Sequence, residues 1–269
     1  MKHIKTKIYM SMLIFVSMVS FRGILVSAES GKFAEIPARM QPYTIIEYIS
    51  ENEYIILQGG EAEPGKYNEN GLTDEEQRAI KQRQEMIRKK YPDLPEYTES
   101  YPLPVEGMRV TYDNLGEVFS IDSPIAKHYS PLPRGTTMEP GVYKFPESTE
   151  RNTIIVTEGG RVQGIGRLTT FSDEIGESNN VLKKGDCATK GEKDNPVHGK
   201  QILVFANNRD TGNWEYHIFL KMDNGDLPNA VLDIWKTGVE YWGYSYSKNF
   251  SIEDGQYTYT YSPNWNRKN

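Results

Sequence analysis

Residues 221–244, KMDNGDLPNAVLDIWKTGVEYWGY, decide how the rest of the chain is read. Val231-Leu232-Asp233-Ile234-Trp235 has the length and apolar content of a strand, yet a carboxylate sits at its centre. Burying that group without a partner costs several kcal/mol. Asp233 therefore either points away from the apolar side, toward a polar site, or caps the short helix expected over Thr237 to Trp242. The turn before it, Asp223-Asn224-Gly225-Asp226, carries two more carboxylates.

Outward from this stretch the pattern is β-rich. LTTF (168–171), KQILVFAN (200–207), WEYHIFLKM (214–222), AVLDIW (230–235) and QYTYTYS (256–262) read as strands separated by glycine turns. Upstream, MRVTYDNLGEVFSI (108–121) and TIIVTEGGRVQGI (153–165) each read as a hairpin, and the two form a weak repeat. A Pro/Gly-rich connection containing SPLPRGTTMEPGVYKF lies between them. YTIIEYISENEYIILQ (43–58) reads as a further hairpin. TDEEQRAIKQRQEMIRKK (73–90) predicts a helix: Thr73 and Glu76 have capping-box spacing, acids fill the first turn, Arg88-Lys89-Lys90 fill the last, and Pro92 stops it. Its apolar face is thin, as for a surface helix. The Pro-, Glu- and Tyr-rich residues 91–107 read as a linker.

The first 28 residues have the layout of a secretory signal: Lys2, Lys5 and Lys7, an apolar run from Ile8 to Phe21, and small residues at Val26-Ser27-Ala28. The apolar core is shorter than the roughly 20 residues of a spanning helix, so cleavage after Ala28 and export are expected, with no membrane segment afterwards. The remainder carries 27 basic against 37 acidic residues, a balance that argues against nucleic acid and anionic membrane as partners. Cys187 is the only cysteine, so no internal disulfide is expected and stability rests on an ordinary core. The expected organisation is a signal peptide at 1–28, an α+β region at 29–107 with the 73–90 helix and the linker, a β-hairpin region at 108–163, and a β-barrel-like domain at 164–269.

Residues 164–252 carry four elements in a recognisable order. Gly166, Thr170 and Phe171 come first, then Pro196-Val197-His198-Gly199 followed by QILVF. Asp223-Asn224-Gly225 and finally Leu232-Asp233-Ile234 with a short helix and Gly243 complete the series. This order resembles the double-psi β-barrel domains of bacterial cell-wall proteins: RlpA-like domains, the three-aspartate domain of lytic transglycosylases and resuscitation factors, and expansins. The resemblance covers about a third of the chain. It implies a mainly β protein, with a six-stranded double-psi β-barrel at the C-terminal end preceded by a β-hairpin-rich α+β region. It departs from the family where Asp-Asn-Gly-Asp occupies the turn, where Asp223 and Asp233 lie about one residue closer than usual, where Ser172 replaces a tyrosine, and where the family's histidine has no clear match.

What the resemblance implies for function is an exported protein acting on cell-wall polysaccharide, peptidoglycan, with Asp233 facing a glycan groove. Asp233 and Asp223 are then the catalytic candidates. An acid in a partly apolar site has a raised pKa and can protonate a glycosidic oxygen near neutral pH. In a lytic transglycosylase the sugar's own 6-hydroxyl then closes on the anomeric carbon. Asp223 and Asp226 would orient Asp233 or hold sugar hydroxyls, Thr170 would donate a hydrogen bond, and Trp235, Trp242 and Tyr244 would stack on sugar rings. Trp214, Tyr216, Tyr241 and Tyr246 crowd the same region. The structural alternatives stay open: a helix cap at 233, turn formers at 223 and 226, core aromatics. Cys187 reads as a buried thiol or as a nucleophile near His198 or His217. The histidines lack metal spacing, so neither metal nor cofactor is expected. Two other functions fit the same residues: a non-catalytic expansin-like polysaccharide binder, and a secreted interaction or effector protein whose barrel is a scaffold for a protein partner.

Overall fold

The computed structural model describes residues 25–27, 35–59, 74–113, 116–124, 131–146, 151–247 and 250–260. Strands β1 (Leu25–Ser27), β2 (Ile45–Ser50), β3 (Glu53–Gln58), β4 (Glu96–Thr98), β5 (Arg109–Tyr112), β6 (Val118–Asp122) and β7 (Gly141–Phe145) lie in the first half, with helix α1 (Asp74–Lys90) between β3 and β4. The second half holds β8 (Asn152–Val156), β9 (Arg161–Phe171), β10 (Asp186–Lys190), β11 (Lys200–Asn207), β12 (Trp214–Gly225), β13 (Leu232–Trp235) and β14 (Ser251–Thr260). The expected cut after Ala28 and the capping Thr73 lie outside the described residues. Of the expected signal, Leu25–Ser27 is described, and its backbone pairs antiparallel with β3. No described helix is long and apolar enough to cross a membrane.

β9 and β13 pair in parallel and close a ring that runs β13-β10-β12-β11-β14-β9. The protein is thus mainly β, with a closed six-stranded barrel. Two pairings in the ring are parallel, β10 with β12 and β13 with β9, and four are antiparallel, a mixture compatible with a double-psi barrel. The strands alternate as a half-buried sheet must: Ile202, Val204 and Ala206 on β11 are fully buried, while Gln201 and Leu203, on either side of Ile202, face out. Phe219, Leu232, Ile234 and Trp242 join them in the main core. β9 continues past the barrel to pair with β8, and β7 and β4 extend that sheet.

The two hairpins at 108–163 belong to different sheets. β5 and β6 complete a five-stranded sheet in the order β1-β3-β2-β5-β6, whereas β8 and β9 are continuous with the barrel. Helix α1 buries Ile87 against Val142, Ile155 and Ile165 and leaves Met86 exposed, the thin face its sequence suggests. The stretch 141–145 is a strand rather than a connection, and the 91–107 linker contains β4.

A buried ionic cluster joins the two sheets. Arg167 of β9 is completely buried; its Nη2 lies 2.6 Å from Asp113 Oδ2 and 3.1 Å from Glu117 Oε2, and its Nε lies 3.0 Å from Glu253 Oε2. Arg151 reaches Glu117 at 2.8 Å and Glu253 at 2.5 Å, and Arg39 meets the other Glu117 oxygen at 2.9 Å. Asp113 and Glu117 flank the β5–β6 turn, so this cluster fixes β6 against the barrel. Burial outweighs the nearby Arg167 charge at Asp113 and lifts its carboxyl to about 6.

Candidate active site

β13 lies between β9 and β10, with Asp233 opposite Thr169 on one side and Ala188 on the other. Leu232 and Ile234 are fully buried in the barrel core, and by strand alternation the Asp233 side chain leaves on the other face. There it lines a cavity of about 340 Å³. The far wall of that cavity is Val118, Phe119 and Ser120 of β6, so the N-terminal sheet, which has no counterpart in the motif series, completes the site.

Asp233 Oδ1 is buried and has no hydrogen-bond partner among the described residues. Burial pushes its carboxyl up to about 7; the Thr169 hydroxyl and the Ile234 amide pull the other way, and the charges of Asp223 and Asp173 push up further. The helix-cap alternative is not realised. The 3-10 helix Lys236–Trp242 has Trp235 at its N-cap and no side-chain cap. Gly243 closes that helix in the left-handed region, where a Cβ would collide with Asp210 at 2.4 Å.

Asp223 stands behind Asp233. Its Oδ1 accepts the backbone N–H groups of Glu177 and Asn224, both at 2.9 Å, so it is anchored and does not line the cavity. Burial raises its pKa as well. Asp226 is exposed and lines the cavity. Thr170 lines it too, but its hydroxyl donates to the Phe250 carbonyl at 3.1 Å. Its neighbour Thr169 is the threonine that meets Asp233.

The expected aromatic platform needs correction. Trp242 is completely buried, stacked on Phe219 with ring centroids 5.6 Å apart, and has no face for a ligand. Trp235 is buried, donates its indole N–H to the Asp173 carbonyl and is covered by the Lys236 ammonium. Tyr244 is half-buried and packs on Phe250. Of the seven aromatics in this region, Tyr246 lines the cavity, together with Phe171 and Phe119. Tyr246 was visible in the sequence as one of a crowd; Phe119, distant in the chain, carried no local signal.

Cys187 is buried at the barrel core, its thiol pushed up by burial and turned to the Leu220 carbonyl, which removes the nucleophile alternative. A second polar cluster escaped the sequence reading. His198 Nε2 lies 2.7 Å from Glu177 Oε2, and the fully buried Lys221 Nζ lies 3.3 Å from the same oxygen. Asn180 Nδ2 donates to the Glu177 carbonyl at 2.8 Å and approaches His198 Nδ1 at 3.0 Å. Because that carbonyl can only accept, the amide is oriented NH2-inward, His198 Nδ1 accepts, and Nε2 carries the proton given to Glu177. Burial alone would raise Glu177, but His198 and Lys221 hold its carboxyl down at about 2. The Glu177 amide in turn fixes Asp223, so this cluster braces the carboxylate behind Asp233.

Among the described residues no group of His, Cys, Asp and Glu has the arrangement of a metal site. The chain matches no known protein family, no curated protein and no solved structure.

Proposed function

We propose that this is an exported, cell-wall glycan-active protein that cleaves peptidoglycan strands by a lytic transglycosylase-like route, with Asp233 as general acid. The observation that carries the reading is the Asp233 carboxyl itself: half-buried, one oxygen unpartnered among the described residues, raised to about 7, and open to a cavity. Such a group is protonated over much of the neutral range and has a proton to give. It protonates the glycosidic oxygen as the bond to the anomeric carbon breaks. The sugar's 6-hydroxyl then closes on that carbon, and its proton returns to the Asp233 carboxylate. No water is consumed, so a second catalytic carboxylate poised on water is not required. The closed barrel and the order of the four sequence elements support kinship with RlpA-like and three-aspartate domains.

Incubation of the protein with purified peptidoglycan, followed by mass spectrometry, tests the reading. Anhydro-muropeptides from wild type and their loss in Asp233→Asn are expected; no anhydro product, or equal yield from the variant, overturns it. Cleavage should also fall about tenfold per pH unit above about 7, as the acid form is titrated away.

One observation favours a second reading, a non-catalytic expansin-like binder. Both ring nitrogens of His198 are engaged with Glu177 and Asn180, and His217 is stacked on Tyr241, so neither supplies Asp233 with a histidine partner. Retention on insoluble wall material without any product supports this reading, and absence of retention excludes it.

A further inference from the structure

Two of the aromatics that the Asp233 cavity leaves out, Trp214 and Tyr216, stand on β12 and point outward. Trp214, Tyr216 and Ile218 are 43%, 59% and 53% exposed, and Leu203 of β11 is 36% exposed. The β11–β12 ladder brings them together. Leu203 lies opposite Ile218, Phe205 opposite Tyr216, and Asn207 opposite Trp214. Their sequence neighbours Ile202, Val204 and Phe219 belong to the main core, so these side chains share the outer face of the barrel. The Phe205 and Tyr216 rings lie 5.6 Å apart and tilted. β11 stands across the ring from β13, so this face looks away from Asp233.

A quarter of the chain is charged, yet this face is not. None of the eight outward positions on β11 and β12, from the Gln201–Leu220 pair to the Asn207–Trp214 pair, carries a charge, and β14 adds Gln256 and Thr258 beside them. Arg161 enters at the margin, its Nε 3.3 Å from Thr258 Oγ1. Aromatic side chains with charge kept out are the composition of a recognition surface. Its geometry narrows the occupant. β11 is hydrogen-bonded on both flanks, to β12 and β14, and on the outer flank of β12 the Glu215 carbonyl accepts the Trp242 indole N–H at 3.1 Å. An extended peptide therefore meets a face and not an edge. The eight positions cover about 20 Å by about 10 Å at ordinary strand spacings. That footprint of about 200 Å² is a quarter of the roughly 800 Å² that each partner of a stable protein pair buries, which argues against a second copy. A flat, narrow, uncharged ligand fits these dimensions.

We propose that the outer face of β11 and β12 binds an uncharged, extended β-1,4-linked glycan, lying flat across Phe205, Tyr216 and Ile218. The axial C–H face of a pyranose ring is apolar and slightly positive, and it packs on the negative face of an aromatic ring. The equatorial hydroxyls point sideways, toward the amides of Gln201, Asn207 and Gln256 at the rim. Linkage through equatorial bonds keeps such a chain straight, as a flat two-stranded platform requires. The site uses no residue of the Asp233 cavity and goes beyond the cleavage reading: it holds the protein on a neutral glycan surface from the opposite side of the barrel.

Amide-detected NMR titration of the full chain tests this with two probes of one backbone, cellohexaose and the β-1,4-linked hexaglucuronate. Cellohexaose should shift the amides of Leu203–Phe205 and Tyr216–Ile218, and the hexaglucuronate should bind severalfold more weakly, because the acidic chain repels it. Tyr216 is exposed, so Tyr216→Ala should keep the fold and weaken cellohexaose about tenfold, the scale of one lost stacking contact. Tyr216→Phe keeps the ring and should bind as wild type does. Absence of cellohexaose shifts, equal affinity for the two probes, or undiminished binding by Tyr216→Ala overturns the proposal. So does Tyr216-dependent retention on phosphatidylcholine vesicles without cellohexaose binding, which would make the face a lipid contact. Shifts confined to Thr169, Asp233 and Tyr246 also overturn it. Those resonances report the other side of the barrel, so failure here is separable from failure of the cleavage reading.

Discussion

Asp233 poses an energetic problem that its strand does not solve locally. Its flanks, Leu232 and Ile234, are core residues, and the acid survives between them because the pleat turns it to a cavity. The folded protein binds its proton more tightly than the unfolded chain, since the carboxyl is raised from 3.8 to about 7. Stabilisation by that proton is complete below about pH 4 and is lost as pH rises through 7. Asparagine mimics the protonated acid. Asp233→Asn should therefore match wild type in urea denaturation at pH 4 and exceed it at pH 8, by up to about 4 kcal/mol. Equal stabilities at pH 8 would mean that the carboxyl ionises without penalty. The sequence exposed this residue through the mismatch between one charge and four apolar neighbours. It could not identify Thr169 as the partner rather than Thr170, because that choice depends on the register between β13 and β9.

At the scale of elements, β9 does the most. It pairs with β8, β14 and β13 along its length and must change direction between the outer sheet and the barrel. Gly166 makes that bend: its φ is +141°, and a Cβ there would stand 2.5 Å from Asn152 Oδ1 and 2.6 Å from the Arg151 carbonyl. Gly166→Ala should destabilise the protein by about 1–3 kcal/mol in thermal or urea unfolding; an unchanged midpoint would contradict the bend. Elements with a strong local pattern were legible. KQILVFAN is β11 at the expected bounds, and the 43–58 hairpin, the 73–90 helix and the short helix after 235 are all present within a residue or two. Gly141–Phe145 was hidden by its proline- and glycine-rich surroundings, and β4 by its three-residue length and acidic neighbours. Their pairing is long-range, so no periodicity announced it.

For the whole molecule, the cavity at Asp233 exists because two sheets are held together. The cluster of Arg39, Arg151 and Arg167 with Asp113, Glu117 and Glu253 keeps β6 opposite β13, and β6 is one wall of the cavity at Asp233. None of this was readable in the sequence, where each of the six is a single charged residue among ordinary surface types. Removing one partner of such a network leaves opposing charges buried, so Arg167→Ala should cost about 3–5 kcal/mol in urea unfolding. Arg167→Lys, which keeps the charge but loses the fork, should fall between the variant and wild type. If Arg167→Ala unfolds at the wild-type midpoint, the two sheets are not joined in this way. This joined architecture holds one acid protonated at the wall of a cavity. Carbon-detected NMR of the Asp233 carboxyl in the full chain, titrated from pH 3 to pH 9, decides whether it does: a midpoint near 7, moved by Asp223→Asn toward lower pH, is expected, and a midpoint near 4 would overturn it.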